Sequence, residues 1–114
     1  MFVKVSIIMS CYNSQATIGQ SIESILNQSY ENFELLICDD GSIDSTFREI
    51  EKYSKADKRI SIFKNEKNIG LTKSLNLLIN KSDGEFIARQ DDDDISLSHR
   101  IETQIKVIKD LNLD

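Results

Sequence analysis

Val3-Lys4-Val5-Ser6-Ile7-Ile8-Met9 is short, β-branched and nearly continuous in its apolar character, and Ser10-Cys11-Tyr12-Asn13-Ser14 breaks it with turn formers. Such a run, bounded by turn signals, suits a strand covered on both faces, the mark of a parallel sheet. Beyond the turn, Ile18, Ile22, Ile25 and Leu26 recur at helical spacing, so Ala16 to Gln28 is expected to be an amphipathic helix. A buried strand, a polar turn and an amphipathic helix are the opening of a βαβ unit.

The unit recurs down the chain. Phe33 to Cys38 reads as a second strand ending in Asp39-Asp40-Gly41-Ser42, and Thr46-x-x-Glu49 has the spacing of a capping box. Phe47, Ile50 and Tyr53 then form the inward face of a second helix. Ile60 to Phe63 is a third strand after the polar loop Lys55–Arg59, and Leu71, Leu75, Leu78 and Ile79 mark a third helix after Asn68-Ile69-Gly70. An Asp83-Gly84 turn introduces a fourth strand, Phe86 to Gln90, and Leu97, Ile101, Ile105 and Ile108 close with a helix from about Ser96 to Leu111. The expected class is α/β, a Rossmann-like open, mainly parallel sheet with helices on both faces, β-α repeated four times within one domain, 1–114. In that topology every strand's carboxyl end lies on one rim, where ligands bind in open α/β sheets. Cys11-Tyr12-Asn13, Asp39-Asp40 and Asp91 to Asp94 should meet there.

Composition narrows the function classes. With 39% hydrophobic and 29% charged residues the chain is globular rather than disordered. A formal charge of −5 without a basic stripe argues against nucleic acid. No apolar run approaches the roughly 18 residues of a membrane span, and Met1-Phe2-Val3-Lys4 lacks a signal-peptide core, so a cytoplasmic location is expected. Cys11 and Cys38 offer neither a disulfide framework nor a CxxC spacing, so they should be reduced and buried.

Asp91-Asp92-Asp93-Asp94 follows the fourth strand directly. Two carboxylates about 6 Å apart repel by roughly 3 kcal/mol at an effective dielectric near 20. A fold that holds four together needs a cation or bulk water around each. Oxygen-only ligands select a hard ion such as Mg²⁺ or Mn²⁺; a solvated acidic loop is the plainer reading. A metal at this rim would suit a diphosphate ligand. Asp39-Asp40 could accept from a base N–H or ribose hydroxyls, or serve only as turn residues. No GxGxxG or GxxxxGK[ST] is present.

The ordered motifs are similar to the nucleotide-binding half of a family 2, GT-A type glycosyltransferase. Val5-Ser6-Ile7-Ile8 through Tyr12-Asn13 resembles its first strand, and Ser21-Ile22-Glu23-Ser24-Ile25-Leu26-Asn27-Gln28 fits S-I-x-S-I-L-x-Q. Asp39-Asp40-Gly41-Ser42-Ile43-Asp44, Asn68-Ile69-Gly70-Leu71 and Leu75-Asn76 follow in order. Gly84 to Ser96 with Arg100, Glu102 and Gln104 matches the acidic motif in register. The resemblance implies that Asp40 contacts the base of a UDP-sugar beside Ser10, Tyr12 and Asn13. It makes Asp91 and Asp93 the DxD pair, with Asp93 the metal ligand and Asp91 facing ribose or metal-bound water. Asp92 leaves the register open, so it joins the substrate-binding set and Asp94 could substitute as a ligand. Mn²⁺ or Mg²⁺ is the implied cofactor, and a saccharide or lipid-linked acceptor the implied second substrate.

Ser10 and Ser98 stand where the family usually has proline, which leaves those loops less fixed. The family's catalytic base and acceptor site lie beyond this segment, so the chain is expected to be a donor-binding portion truncated before the acceptor part. A non-catalytic nucleotide- or metal-binding module is the alternative. A phosphoacceptor receiver-like domain would need its acid pair after the first strand, where Ser-Cys-Tyr-Asn stands instead. His99 and Lys73 read as surface residues, and Arg89 as a charge partner of the acidic run.

Overall fold

β1 (Val5–Cys11) is buried at all seven positions, as its unbroken apolar character requires. It sits inside a four-stranded sheet ordered β3-β2-β1-β4, with β2 at Phe33–Asp39, β3 at Ile60–Lys64 and β4 at Phe86–Arg89. All three pairings are parallel; Ser10 lies opposite Cys38, Cys11 opposite Asp39, and Ile8 opposite Arg89. The helices are α1 (Ile18–Leu26), α2 (Thr46–Ala56), α3 (Leu71–Lys81) and α4 (Arg100–Asp110). The computed structural model describes residues 3–111.

Strand alternation splits the core into two layers. On one face Ile7 and Met9 of β1 with Leu35 and Ile37 of β2 pack against Ile22 and Ile25 of α1, Ile50 of α2 and Ile101 of α4. On the other, Ile8, Leu36 and Cys38 pack against Leu75 and Leu78 of α3. Full burial of each such side chain stabilises by about 1.5–3 kcal/mol. The chain winds outward through β2 to β3, then returns past β1 to β4, so the winding reverses between β1 and β4. The crevice at such a reversal is the place for a ligand.

Gly84 shows how tightly β4 is seated. A Cβ there would lie 2.5 Å from the Ser6 nitrogen, and the Gly84 N–H donates to Ser6 Oγ at 2.7 Å. Cys11 and Cys38 are both free and buried, as expected. Because Cys38 pairs in register with Ser10, the two thiols point to opposite faces of the sheet.

The strand and helix order follows the sequence reading, with three local corrections. Thr46-x-x-Glu49 does not form a capping box. Ser45 precedes α2 without a side-chain cap, and the Asp44 carboxylate takes both the Thr46 N–H, at 2.9 Å, and its hydroxyl. A charged acceptor two residues ahead outcompetes the box, and the buried Thr46 hydroxyl also accepts the Ser14 N–H. Leu97 is not on the last helix: α4 starts at Arg100 and Leu97 is 82% exposed. Leu71 and Ile79 are exposed rather than core, because α3 alone covers its face of the sheet and leaves its own flanks open.

Candidate functional site

Where β1 and β2 end, Ser10, Tyr12, Asp40, Gly70, Leu71 and Asp92 line a cavity of about 270 Å³. That volume lies just under the roughly 300 Å³ of the smallest ordinary ligand pockets, so a ligand seated here would be only partly enclosed. The strand ends are tied together across it. The Asp40 N–H donates to the Cys11 carbonyl at 2.8 Å, and the Tyr12 N–H donates to Asp92 Oδ2 at 3.2 Å. Tyr12 is 46% exposed at this rim.

Asp40 is held more firmly than a free ligand-binding group. Its Oδ1 accepts from Ile69 N–H at 2.8 Å and Asn65 Nδ2 at 3.0 Å, and its Oδ2 accepts from Gly70 N–H at 2.9 Å. Gly70 heads α3 with no side-chain cap of its own, so Asp40 caps that helix from a distance. Burial works to raise the Asp40 carboxyl, but the hydrogen bonds from Ile69, Asn65 and Gly70 outweigh it and hold it below the usual carboxylate value. Asp39 points the other way, fully buried, with Oδ1 accepting the Ser42 N–H and Oδ2 lacking a protein partner. Burial likewise pushes the neighbouring Cys11 thiol far up, which removes it as a nucleophile.

Asn13 stands apart from the cavity. At φ +48° it donates its N–H to Ser42 Oγ and accepts the Ile43 N–H on Oδ1, so it braces the β2–α2 turn.

The acidic run divides in two. Asp91, Asp93 and Asp94 each offer one carboxylate oxygen, and these atoms lie within 4.8 Å of one another. Asp92 faces Tyr12 instead. Three converging hard oxygen donors, with Asp93 and Asp94 exposed, fit a hydrated divalent cation that completes its shell from water and ligand oxygens. Arg89 Nε binds Asp91 Oδ1 at 3.0 Å; both side chains are about half exposed, so this pair contributes little stability. His99 touches Ser29 and Glu102 at the surface, away from the cavity.

Two residues that the sequence reading passed over are central here. Asn65 bridges Asp40 to Ser74 Oγ on α3, and Gln90, 2% exposed, ties the acidic loop at both ends. Nothing local marks Asn65. For Gln90 the signal was indirect: Thr17, Ser21, Ser24 and Gln28 recur at helical spacing along α1 and its two ends, a polar stripe that needs buried partners opposite it.

Comparison with known proteins agrees with this architecture. The chain is 45% identical over 107 residues to a putative glycosyltransferase, EpsE, of Bacillus subtilis, covering 93% of this chain and 38% of that protein. It is 41% identical over 109 residues to a UDP-Glc:alpha-D-GlcNAc-diphosphoundecaprenol beta-1,3-glucosyltransferase, WfgD, of Escherichia coli, covering 96% of this chain and 42% of that protein. The chain thus spans about two fifths of these relatives. The crystal structure of S. aureus TarS 1-349 in complex with UDP-GlcNAc superposes with a TM-score of 0.87 at 28% identity, covering 94% of this chain and 31% of that one. The model of glycosyl transferase family 2 matches residues 6–114, and the chain belongs to that family.

Proposed function

We propose that this chain is the donor-binding portion of a glycosyltransferase, holding a nucleoside-diphosphate sugar, UDP-linked, through Mn²⁺ or Mg²⁺. The observation that carries the reading is the placement of three converging carboxylates beside a cavity lined by Asp40, Tyr12 and Asp92. The cavity takes the base and part of the ribose. Asp40 keeps its remaining acceptor capacity for a base N–H, and Tyr12 offers a ring surface beside it. Ser10 and Asp92 line the cavity beside Asp40, and Asn13 braces the neighbouring turn. Asp91 and Asp93 hold the cation, with Asp94 as a third donor. A cation held there would supply Lewis-acid chemistry toward a diphosphate, offsetting the charge that develops on the leaving nucleotide. The sugar then points outward toward a saccharide or lipid-linked acceptor. Support for this donor class comes from the solved relative that holds UDP-GlcNAc, and for a lipid-linked acceptor from the name of the E. coli relative.

Calorimetric titration of UDP with and without Mn²⁺ tests the reading. UDP affinity should rise at least about tenfold when Mn²⁺ is present, and Asp93→Ala should abolish that rise. UDP affinity independent of Mn²⁺ in the unsubstituted chain would end the metal-bridged reading.

A further inference from the structure

Gln90 sits immediately before the acidic run, on the last residue that β4's pairing with β1 fixes, where its N–H donates to the Ile8 carbonyl at 3.0 Å. Its side-chain amide has every hydrogen-bonding position filled. Nε2 donates to the Asp94 carbonyl at 2.8 Å and to Ser21 Oγ at 3.1 Å; Oε1 accepts from Arg100 Nη1 at 2.9 Å and from the Ser96 hydroxyl. The orientation is unambiguous, since arginine cannot accept and a carbonyl cannot donate. The Gln90–Asp94 bond closes the acidic run into a ring, and Arg100 Nη2 locks the base of that ring by donating to the Arg89 carbonyl at 2.8 Å.

Donors on α1 and at its two ends complete the hold. Thr17 Oγ1 donates to the Asp92 carbonyl at 3.0 Å, Ser21 Oγ to the Asp91 carbonyl at 2.9 Å, and Gln28 Nε2 to the Leu97 carbonyl at 2.7 Å. The main-chain carbonyls at Asp91, Asp92 and Asp94 are therefore all taken by side-chain donors. None of these bonds uses the carboxylates that converge; of the three, Asp91 takes Arg89 Nε on Oδ1, and Asp93 and Asp94 are exposed.

We infer that Gln90, with Ser21 behind it, is a positioning residue for the cation: it sets the acidic loop's backbone so that the Asp91, Asp93 and Asp94 carboxylates converge before any ion arrives. This rests on the proposed role of that cluster in metal binding. A site with few protein ligands gains most from such pre-organisation, because any ordering of the loop would otherwise be deducted from the binding free energy. Groups that orient metal ligands, without touching the metal, typically alter affinity about 10–100-fold when removed.

The test compares Gln90→Met, which keeps length and removes all four bonds, with Gln90→Glu, which keeps the acceptor toward Arg100 and loses both donors. Ser21→Ala removes the Asp91 contact and one of the two acceptors of Gln90 Nε2, leaves the Gln90 bonds to Asp94, Ser96 and Arg100, and serves if Gln90→Met does not fold. Free Mn²⁺ is read by electron paramagnetic resonance at saturating UDP. Binding of uridine, which has no phosphate and needs no cation, is read by NMR as a report on the cavity alone. The expected result is Mn²⁺ affinity lowered at least about tenfold in both Gln90 variants and by a smaller factor in Ser21→Ala, with uridine affinity within about twofold of the unsubstituted chain in all. Mn²⁺ affinity unchanged in folded variants, or uridine affinity falling in parallel with it, would overturn the positioning role. If the unsubstituted chain takes up no Mn²⁺ with UDP, the metal reading itself falls and takes this role with it, an outcome visible before any variant is made.

Discussion

The Asp40 carboxylate accepts three hydrogen bonds, from Asn65, Ile69 and Gly70, against about four lone-pair positions on an ionised carboxyl group. One acceptor site is thus left for a ligand, and it is already oriented, because the other bonds fix the side chain. Asp40→Ala should therefore show two effects at once. Removing the acceptor strands two main-chain donors at the start of α3, which should cost about 1–3 kcal/mol in urea unfolding. UDP affinity should also fall, while far-UV circular dichroism at neutral pH stays native. A variant that is less stable but binds UDP as before would reduce Asp40 to a helix cap and take it out of the donor site. The sequence marked Asp40 by its place after a strand. Its capping role was hidden, because its partners sit on a loop some twenty-five to thirty positions further on.

At the scale of elements, the turn after β2 and the loop before α3 are packed backbone to backbone. Gly41 has φ +77°, and a Cβ there would lie 2.6 Å from the Asn68 nitrogen and from the Lys67 carbonyl carbon. The left-handed conformation alone costs a non-glycine residue roughly 1–2 kcal/mol, and the contact with main chain cannot be relieved by a side-chain rotation. Gly41→Ala should lower the urea midpoint by more than the conformational cost implies and should weaken uridine binding, since Gly70 and Leu71 line the same cavity. An unchanged midpoint would mean that the loop yields freely. The strands and the first three helices were legible because apolar runs and helical stripes are local signals, set by what each segment must bury. The segment from Asp91 to His99 was not. Its apolar Leu97 reads as the start of a helix, yet the backbone there is held open by donors on α1 and at its two ends, about seventy positions earlier. Tertiary hydrogen bonds override a local pattern when they satisfy main-chain groups that a helix would have satisfied itself.

For the molecule as a whole, carboxylates bind distant segments together, and acid should release them. Burial tends to raise Glu34, but the Ser6 hydroxyl, the Asp83 N–H and Lys4 bring it below its usual value, tying β1 and β2 to the approach to β4. Asp57 is lowered by hydrogen bonds from Arg59 against an opposing effect of burial, at the entry to β3. Glu34 and Asp40 tie segments distant in sequence, whereas the Asp57–Arg59 pair is local to one loop. Each of these carboxylates has a folded value depressed below its unfolded one, so each contributes stability that is fully present above the unfolded carboxylate values of about 4. That contribution is lost as pH falls through the lower folded values. Urea unfolding should therefore give a constant free energy between about pH 6 and pH 7 and a steep decline below about pH 4. Asp40→Asn, which cannot ionise, should make that decline shallower, because one of the linked protons is gone; Lys52→Gln, at an exposed surface pair, should leave it unchanged. If Asp40→Asn follows the same acid curve as the unsubstituted chain, the Asp40 carboxylate is not depressed in the folded state, and the tie between β2 and α3 is weaker than its three hydrogen bonds indicate.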